Sequence, residues 1–298
     1  MTQTLEAQVL VPTKDPLTRL RNARIRWVPT LPIAVLTLII VLALIAPWIT
    51  PYDPTHNELA NRLQPPFFVS GGSTDHLLGT DAFGRDVLTR LIFGARASLA
   101  VTALSMTILV VLGTAVGVTA GYVGGWVDST LMRLVDILLA IPTLLIGMVV
   151  AVVLGPSFWH VVFVIGLLAW PRVARLIRGE TLGLRQTDFV DYSRAIGVTP
   201  LSVALRHVLP NVLPTLLVAA TLESSQIILQ EAALSFLGAG IPPPAASWGV
   251  MISDGRALIS TGWWIALFPG LAIGITVLSA NALGDWMRDH FDPRTREV

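Results

Sequence analysis

Residues 188–210 read DFVDYSRAIGVTPLSVALRHVLP, a polar and helix-forming stretch in an otherwise hydrophobic chain. Two aspartates fall in the first turn of a predicted helix, where negative charge matches the helix dipole. Gly197 permits the positive φ that other residues resist, so it predicts a turn. Thr199 and Pro200 are a typical N-cap and first residue of a second helix. The stretch therefore predicts a short helix, a glycine turn and another short helix that stops before Pro210.

The second of these helices carries one apolar face. Leu201, Ala204, Leu205 and Val208 recur at helical spacing. Such a face binds either a groove in another protein or the surface of a membrane. The spacing alone leaves both possibilities open.

The composition places the chain in a lipid bilayer. Of its 298 residues, 53% are hydrophobic and only 13% are charged, whereas a soluble domain carries roughly 25% charged residues. The net charge of +1 gives no indication of a nucleic-acid partner. The sequence has 0 cysteines, and its 5 histidines show no metal-ligand spacing, so no metal site is predicted.

Six stretches are long and apolar enough to cross a bilayer, which takes about 20 residues. The first is preceded by a long tail and lacks a clear cleavage site, so we expect a retained span rather than a signal peptide. The six predicted spans are 29–49, 97–121, 131–154, 158–178, 211–237 and 263–286.

Basic residues near the membrane predict the orientation. Arginines are frequent before the first span, around 188–210 and after the last span, so we expect these segments in the cytoplasm. The loop after the first span must then lie outside, although it also carries arginines. The predicted organisation is a basic cytoplasmic tail 1–28, the span 29–49, an extracytoplasmic loop 50–96 with a short amphipathic helix, a core 97–286 and a cytoplasmic tail 287–298.

The second span repeats glycine every four residues, at Gly113, Gly117 and Gly121. Glycines at this spacing line one helix face and let a neighbouring helix approach closely. The pattern is compatible with ordinary helix packing and with a mobile bundle.

The fifth span is polar along one face. Glu223, Gln226 and Gln230 share that face, and Glu231 lies beside it. A charge deep in the bilayer costs at least about 2.5 kcal/mol, which disfavours contact of these groups with lipid. These groups are predicted either to line a translocation path or to form hydrogen bonds between subunits.

Several motifs in a fixed order resemble one transporter family. The chain resembles the C-type permease subunit of the dipeptide and oligopeptide ATP-binding-cassette (ABC) importers, a family that includes nickel permeases. The matching stretches are Leu78-Gly-Thr-Asp81, Gly84-Arg-Asp86, Arg172 to Arg178, Asp191 to Gly197, Arg206 to Asn211, Glu231 to Gly238, Pro243 with Trp248-Gly249, and Asp292-Pro-Arg294.

The resemblance implies an all-α, polytopic membrane protein with six transmembrane helices and the type I ABC importer permease fold. It also implies that loop 188–210 docks into a cleft of a cytoplasmic ATPase. The usual Glu-Ala-Ala of the family is Asp191-Tyr192-Ser193 here, so the partner's cleft should differ slightly. The implied coupling residues are Asp191, Tyr192, Ser193, Arg194, Ala195, Gly197, Thr199, Pro200, Leu201 and Leu205.

The implied partners are a second homologous permease, two ATP-binding subunits or one fused pair, an extracytoplasmic solute-binding protein and membrane lipid, in a bacterial inner membrane. ATP and magnesium are expected on the ATPases, because the chain lacks a phosphate-binding loop and its only lysine is Lys14. We therefore expect a transport subunit, not an enzyme, with no cofactor of its own. The expected contacts with the binding protein are Asp81, Arg85, Asp86, Pro243 and Trp248.

Peptides are the expected cargo, with nickel or another small solute as the alternative. An ion-coupled carrier is a rival, but it would need acidic residues mirrored in both halves of the chain. A non-transporting membrane scaffold that uses 188–210 for docking is the other rival.

Overall fold

The computed structural model describes residues 29–195 and 197–291. Three parts of the chain lie outside the described residues: the predicted N-terminal tail, Ile196, and the end of the chain after residue 291. The last of these includes the motif that begins at Asp292. The side chains of Asp191, Arg194 and Ala195 are also outside them, although these residues belong to a described helix.

The described residues are mostly helical and contain no β-sheet, as predicted for an all-α membrane protein. A π-helical turn at Ala204–Val208 joins two of the helices, and short 3₁₀ turns lie at Leu59–Asn61 and Arg256–Leu258. The helices are α1 Thr30–Ile49, α2 Val87–Val123, α3 Gly125–Leu139, α4 Thr143–Leu154, α5 Phe158–Arg185, α6 Asp188–Ala195, α7 Pro200–Val203, α8 Leu209–Phe236, α9 Trp248–Gly255 and α10 Trp264–Phe291.

Five helical segments within the described residues are long and apolar enough to cross a membrane: α1, α2, α5, the continuous segment from α7 through α8, and α10. The third of the six predicted spans was expected to be one helix over 131–154. It is instead the pair α3 and α4, which meet at an angle of 75°. Pro142 explains the break, because it has no backbone N–H and disfavours helical geometry in the residue before it.

Helix α2 begins ten residues before the predicted span. Residues 87–96 are therefore not a separate amphipathic helix in the loop but the first turns of α2. Asp86 fixes this start, since its Oδ2 accepts a hydrogen bond of 2.7 Å from the Thr89 N–H. Val87 and Arg90 are both buried, so these turns have no solvent-facing stripe of the predicted kind.

The glycines of α2 bring it against α5. A Cβ atom placed on Gly117 would lie 2.7 Å from the Ala174 carbonyl oxygen and 2.8 Å from the Ile177 Cβ. Gly113 and Gly121 meet Val173 and Thr181 in the same way. The close helix approach predicted from the spacing is confirmed, and it occurs within this chain.

The two helices run in parallel, since later residues of α2 contact later residues of α5. Residues 50–86, which precede α2, and residues 188–210, which follow α5, therefore lie at opposite ends of the bundle. The end of the bundle that carries residues 50–86 is called the loop end below, and the end that carries residues 188–210 is called the element end.

The helix after Gly197 does not stop before Pro210, as was predicted. It runs through the π-helical turn into α8, where the Leu209 N–H donates to the Ala204 carbonyl five residues back. A wider turn at this place accommodates the missing N–H of Pro210 without breaking the helix. The segment 188–210, called the 188–210 element below, is thus continuous with a membrane span.

Candidate functional site

The 188–210 element has the predicted order of helix, glycine turn and helix. Gly197 has φ of +82°, in the left-handed region that favours glycine. The Val198 N–H donates to the Ser193 carbonyl at 3.1 Å, which is the hydrogen bond that closes a helix ending in a left-handed glycine. Pro200 is the first residue of α7, and the Thr199 side chain makes no capping hydrogen bond.

Apolar side chains of the element face in two directions. Val190, Val203 and Val208 are fully buried and anchor it to the bundle. Tyr192 is 74% exposed, Leu201 69% and Leu205 54%. We call these last three residues the exposed apolar face. Large apolar side chains that project from an anchored element are typical of a protein-binding surface.

Three arginines lie in α5, the helix that precedes the element, and each pairs with an acid on another helix. Arg178 forms a two-pronged pair with Asp128 of α3, with distances of 2.5 and 2.7 Å. Arg175 pairs with Asp136 of α3, and Arg172 lies 3.1 Å from Glu223 of α8. The arginines were recognised from the sequence, but their partners were not.

The three arginines follow one another at intervals of three residues, so they share one face of α5. We call their three ion pairs the ladder. The two acids of α3, Asp128 and Asp136, were the available signal. The ladder links α5, the helix before the element, to α3 and α8.

The predicted polar face of α8 divides into two parts. Gln226 is exposed, Glu223 lines a cavity at the element end, and Gln230 has a buried Oε1 with no hydrogen-bond partner among the described residues. The cavity has a volume of about 940 Å³ and lies between α5, α8 and α10. These three residues remain candidates for a translocation path.

Glu231 does not share that environment. It is fully buried and accepts hydrogen bonds from Ser98 of α2 at 2.9 Å and from Ser235 at 2.8 Å. The Ser98 hydroxyl also lies 3.4 Å from the Trp248 N–H. Glu231 therefore joins α2, α8 and the start of α9, and the path role predicted for it is replaced by a structural one.

A second buried charge cluster lies at the loop end. Asp81 Oδ2 accepts from Arg85 at 2.6 Å and from Arg90 at 3.0 Å. The same two arginines reach Asp254 of α9 at 3.2 and 3.0 Å. Burial raises the pKa of the Asp254 carboxyl, and the Arg85 charge opposes that rise. The two arginines and two aspartates thus fasten the loop before α2 to α9.

Four of the five expected binding-protein contacts are buried. Asp81, Arg85, Asp86 and Trp248 are each no more than 8% exposed. Asp86 lies 3.0 Å from the buried His76, and the Trp248 indole N–H donates to the Leu91 carbonyl. A buried side chain cannot touch a docking protein, so these residues hold the loop end together instead. Pro243 is exposed and keeps its predicted role as a candidate contact.

Arg90 provides a test of this structural role. Replacing Arg90 with methionine leaves two acids short of one partner each, and loss of one member of a buried ion pair costs about 3–5 kcal/mol. We expect a clear fall in the thermal unfolding temperature of the purified permease. Arg62→Met is the control, because Arg62 is exposed in the loop that precedes α2. Equal melting of the two variants would contradict the role given to the cluster.

A family model described as "binding-protein-dependent transport system inner membrane component" matches residues 113–297. A second model, the N-terminal transmembrane domain of oligopeptide transport permease C, matches residues 33–66.

Individual relatives match over nearly the whole chain. A Brucella suis permease assigned by name to a peptide transport system is 43% identical over 263 residues, which is 88% of this chain and 86% of the relative. The di/tripeptide transport system permease DppC of Pseudomonas aeruginosa is 40% identical, covering 88% of this chain and 86% of its own. The glutathione transport system permease GsiD of Escherichia coli is 38% identical, covering 87% and 84%.

Solved structures agree on the fold. A chain of the MetNI methionine ABC transporter, crystallised in an inward-facing conformation, superposes with a TM-score of 0.56 at 22% identity. The match covers 69% of this chain and 98% of that one.

Proposed function

The chain belongs to the family of binding-protein-dependent transport system inner membrane components, the permeases of ABC importers, and from this premise we propose that it imports di- and oligopeptides using ATP hydrolysed by partner subunits. The named substrates of its relatives, which include di- and tripeptides and glutathione, support this cargo. In the proposed complex it forms half of the translocation path beside a second, related permease.

The exposed apolar face of the 188–210 element carries this proposal. Tyr192, Leu201 and Leu205 project from an element that Val190, Val203 and Val208 fix to the bundle. A rigid element with an apolar tip suits the cleft of an ATP-binding subunit better than it suits water. We therefore assign ATP and magnesium to two such subunits, or to one fused pair, on the cytoplasmic side.

The proposed orientation places both chain ends and the element in the cytoplasm, because basic residues concentrate there. The loop end then faces a solute-binding protein outside the membrane. Exposed residues of the loop end, Pro243 among them, are the candidates for that contact.

The proposed coupling is mechanical. The element follows α5 after a two-residue gap and is continuous with α8, while the ion pairs of Arg172 and Arg178 link α5 to α8 and α3. Closure of the ATP-binding subunits would move the element as a unit, and the ladder would carry this movement into three spans. ATP drives the change only to the extent that it binds one conformation more tightly than the other.

Reconstitution tests the proposed function. The complete complex, in proteoliposomes with its solute-binding protein outside and ATP inside, should accumulate a labelled dipeptide. Uptake should stop when a non-hydrolysable ATP analogue replaces ATP. Uptake that follows an ion gradient and ignores ATP would instead indicate a secondary carrier.

A further inference from the structure

The cavity at the element end is the part of the molecule whose chemistry indicates a ligand. Its volume of about 940 Å³ is at the upper end of the range for small-molecule sites, roughly 300–1,000 Å³. Helices α5, α8 and α10 each contribute polar side chains to its wall. The polar lining residues are Arg172, Glu180, Asn211, Thr215, Glu223 and Arg288.

Both signs of charge occur in this wall, two guanidinium groups and two carboxylates. A bare divalent cation would be opposed by the arginines, and a simple anion by the glutamates. A ligand that carries one positive and one negative group satisfies both sets. The charges of the wall are therefore complementary to those of a zwitterion.

One ion pair of the wall, Arg172 with Glu223, has unused hydrogen-bonding capacity. Arg172 lies 3.1 Å from Glu223 Oε2, so the two charges attract, yet this buried oxygen has no aligned hydrogen bond within the described structure. The Arg172 side chain is 42% exposed and that of Glu223 is 16% exposed. An acceptor that is desolvated but poorly satisfied favours an added donor, such as an ammonium group.

We infer that this cavity binds a free zwitterion, with Glu223 accepting hydrogen bonds from its ammonium group and Arg172 donating to its carboxylate. Each of the two side chains then pairs with one end of the ligand, and no group has to gain or lose a proton. An unblocked dipeptide has this chemistry, with ends about 7 Å apart when extended. The identification of the zwitterion as a peptide rests on the proposed function. With a peptide as ligand, the cavity is a recognition site for peptide termini within the permease itself.

A phosphatidylethanolamine headgroup presents the same pair of charges, so the test must separate the two sources. The complete complex of permeases and ATP-binding subunits is prepared in phosphatidylglycerol nanodiscs without the solute-binding protein. Binding of dialanine, N-acetyl-dialanine and dialanine amide is measured by calorimetry. The same titrations are repeated in nanodiscs that contain phosphatidylethanolamine.

The expected pattern links each end of the ligand to one residue. The wild-type complex should bind free dialanine at least tenfold more tightly than either blocked form, with no effect of phosphatidylethanolamine. Glu223→Gln should remove discrimination against the acetylated form only, and Arg172→Gln should remove discrimination against the amide only. Asp136→Asn is the matched control, because it removes the neighbouring ion pair with Arg175, and Asp136 does not line the cavity. This variant should keep both preferences.

Three results would overturn the inference: no saturable binding by the wild type, equal weakening of all three ligands in both variants, or loss of peptide binding when phosphatidylethanolamine is present. The last would assign the cavity to lipid. If ATP-driven uptake succeeds while the binding pattern fails, only this inference falls. If uptake needs no ATP, the proposed function fails by itself.

Discussion

The variant Leu201→Glu is expected to lose ATP-driven uptake while the permease still folds and inserts. Leu201 is 69% exposed, so a glutamate there stays in water in the isolated subunit. In the proposed complex the charge would be buried against the ATP-binding subunit. Loss of such a contact costs about 2 kcal/mol, which is roughly thirtyfold in affinity.

The measurement is co-purification of the ATP-binding subunit with the tagged permease, together with dipeptide uptake. Leu59→Glu is the matched control, since Leu59 is also 69% exposed but lies in the loop at the opposite end. It should retain the ATP-binding subunit in full. Equal retention by both variants would show that the exposed apolar face is not the docking surface.

The variant Gly117→Leu is expected to prevent assembly of the bundle. Even a single Cβ at Gly117 would lie 2.7 Å from a backbone oxygen of α5, and backbone cannot move aside as a side chain can. Overpacking of this kind costs about 3 kcal/mol, the upper end of the usual range. The yield of monodisperse permease after detergent extraction should fall sharply.

Gly270→Leu tests whether the position or the added bulk is responsible. Gly270 is also a helical glycine, but it is exposed and a Cβ there would meet nothing within 4 Å. Its variant should extract like the wild type. A matching loss of yield in both variants would show that leucine at any helical glycine is harmful and that the contact of α2 with α5 has no special importance.

Local signals in the sequence were sufficient for the elements that depend on a few neighbouring residues. Hydrophobic stretches located the spans, and Gly197 with Pro200 located the turn within the 188–210 element. The glycine repeat of α2 also predicted a close helix contact, because the spacing alone defines the face. Pro142 was visible as well, but the size of the bend depends on how α3 and α4 pack on the bundle.

The sequence was a poorer guide wherever a role depends on a distant partner. Asp81 and Arg85 lie in a polar loop and were assigned to docking, yet both are buried, and Arg85 pairs with Asp254 of the distant α9. Glu231 was grouped with the polar face of α8, although it follows Gln230 on an adjacent face of the helix and accepts a hydrogen bond from Ser98 of α2. No pattern in one segment reveals which distant segment will cover it.

The most direct test of the central claim uses a single cysteine, because the chain contains 0 cysteines of its own. Thr199→Cys places the thiol at an exposed position of the 188–210 element. In membranes that contain the complete complex, a short thiol-reactive crosslinker should join this residue to an ATP-binding subunit, with a yield that changes when ATP is added. If the crosslinker joins residue 199 only to lipid, or to nothing, while uptake proceeds without ATP, the 188–210 element does not couple ATP hydrolysis to transport.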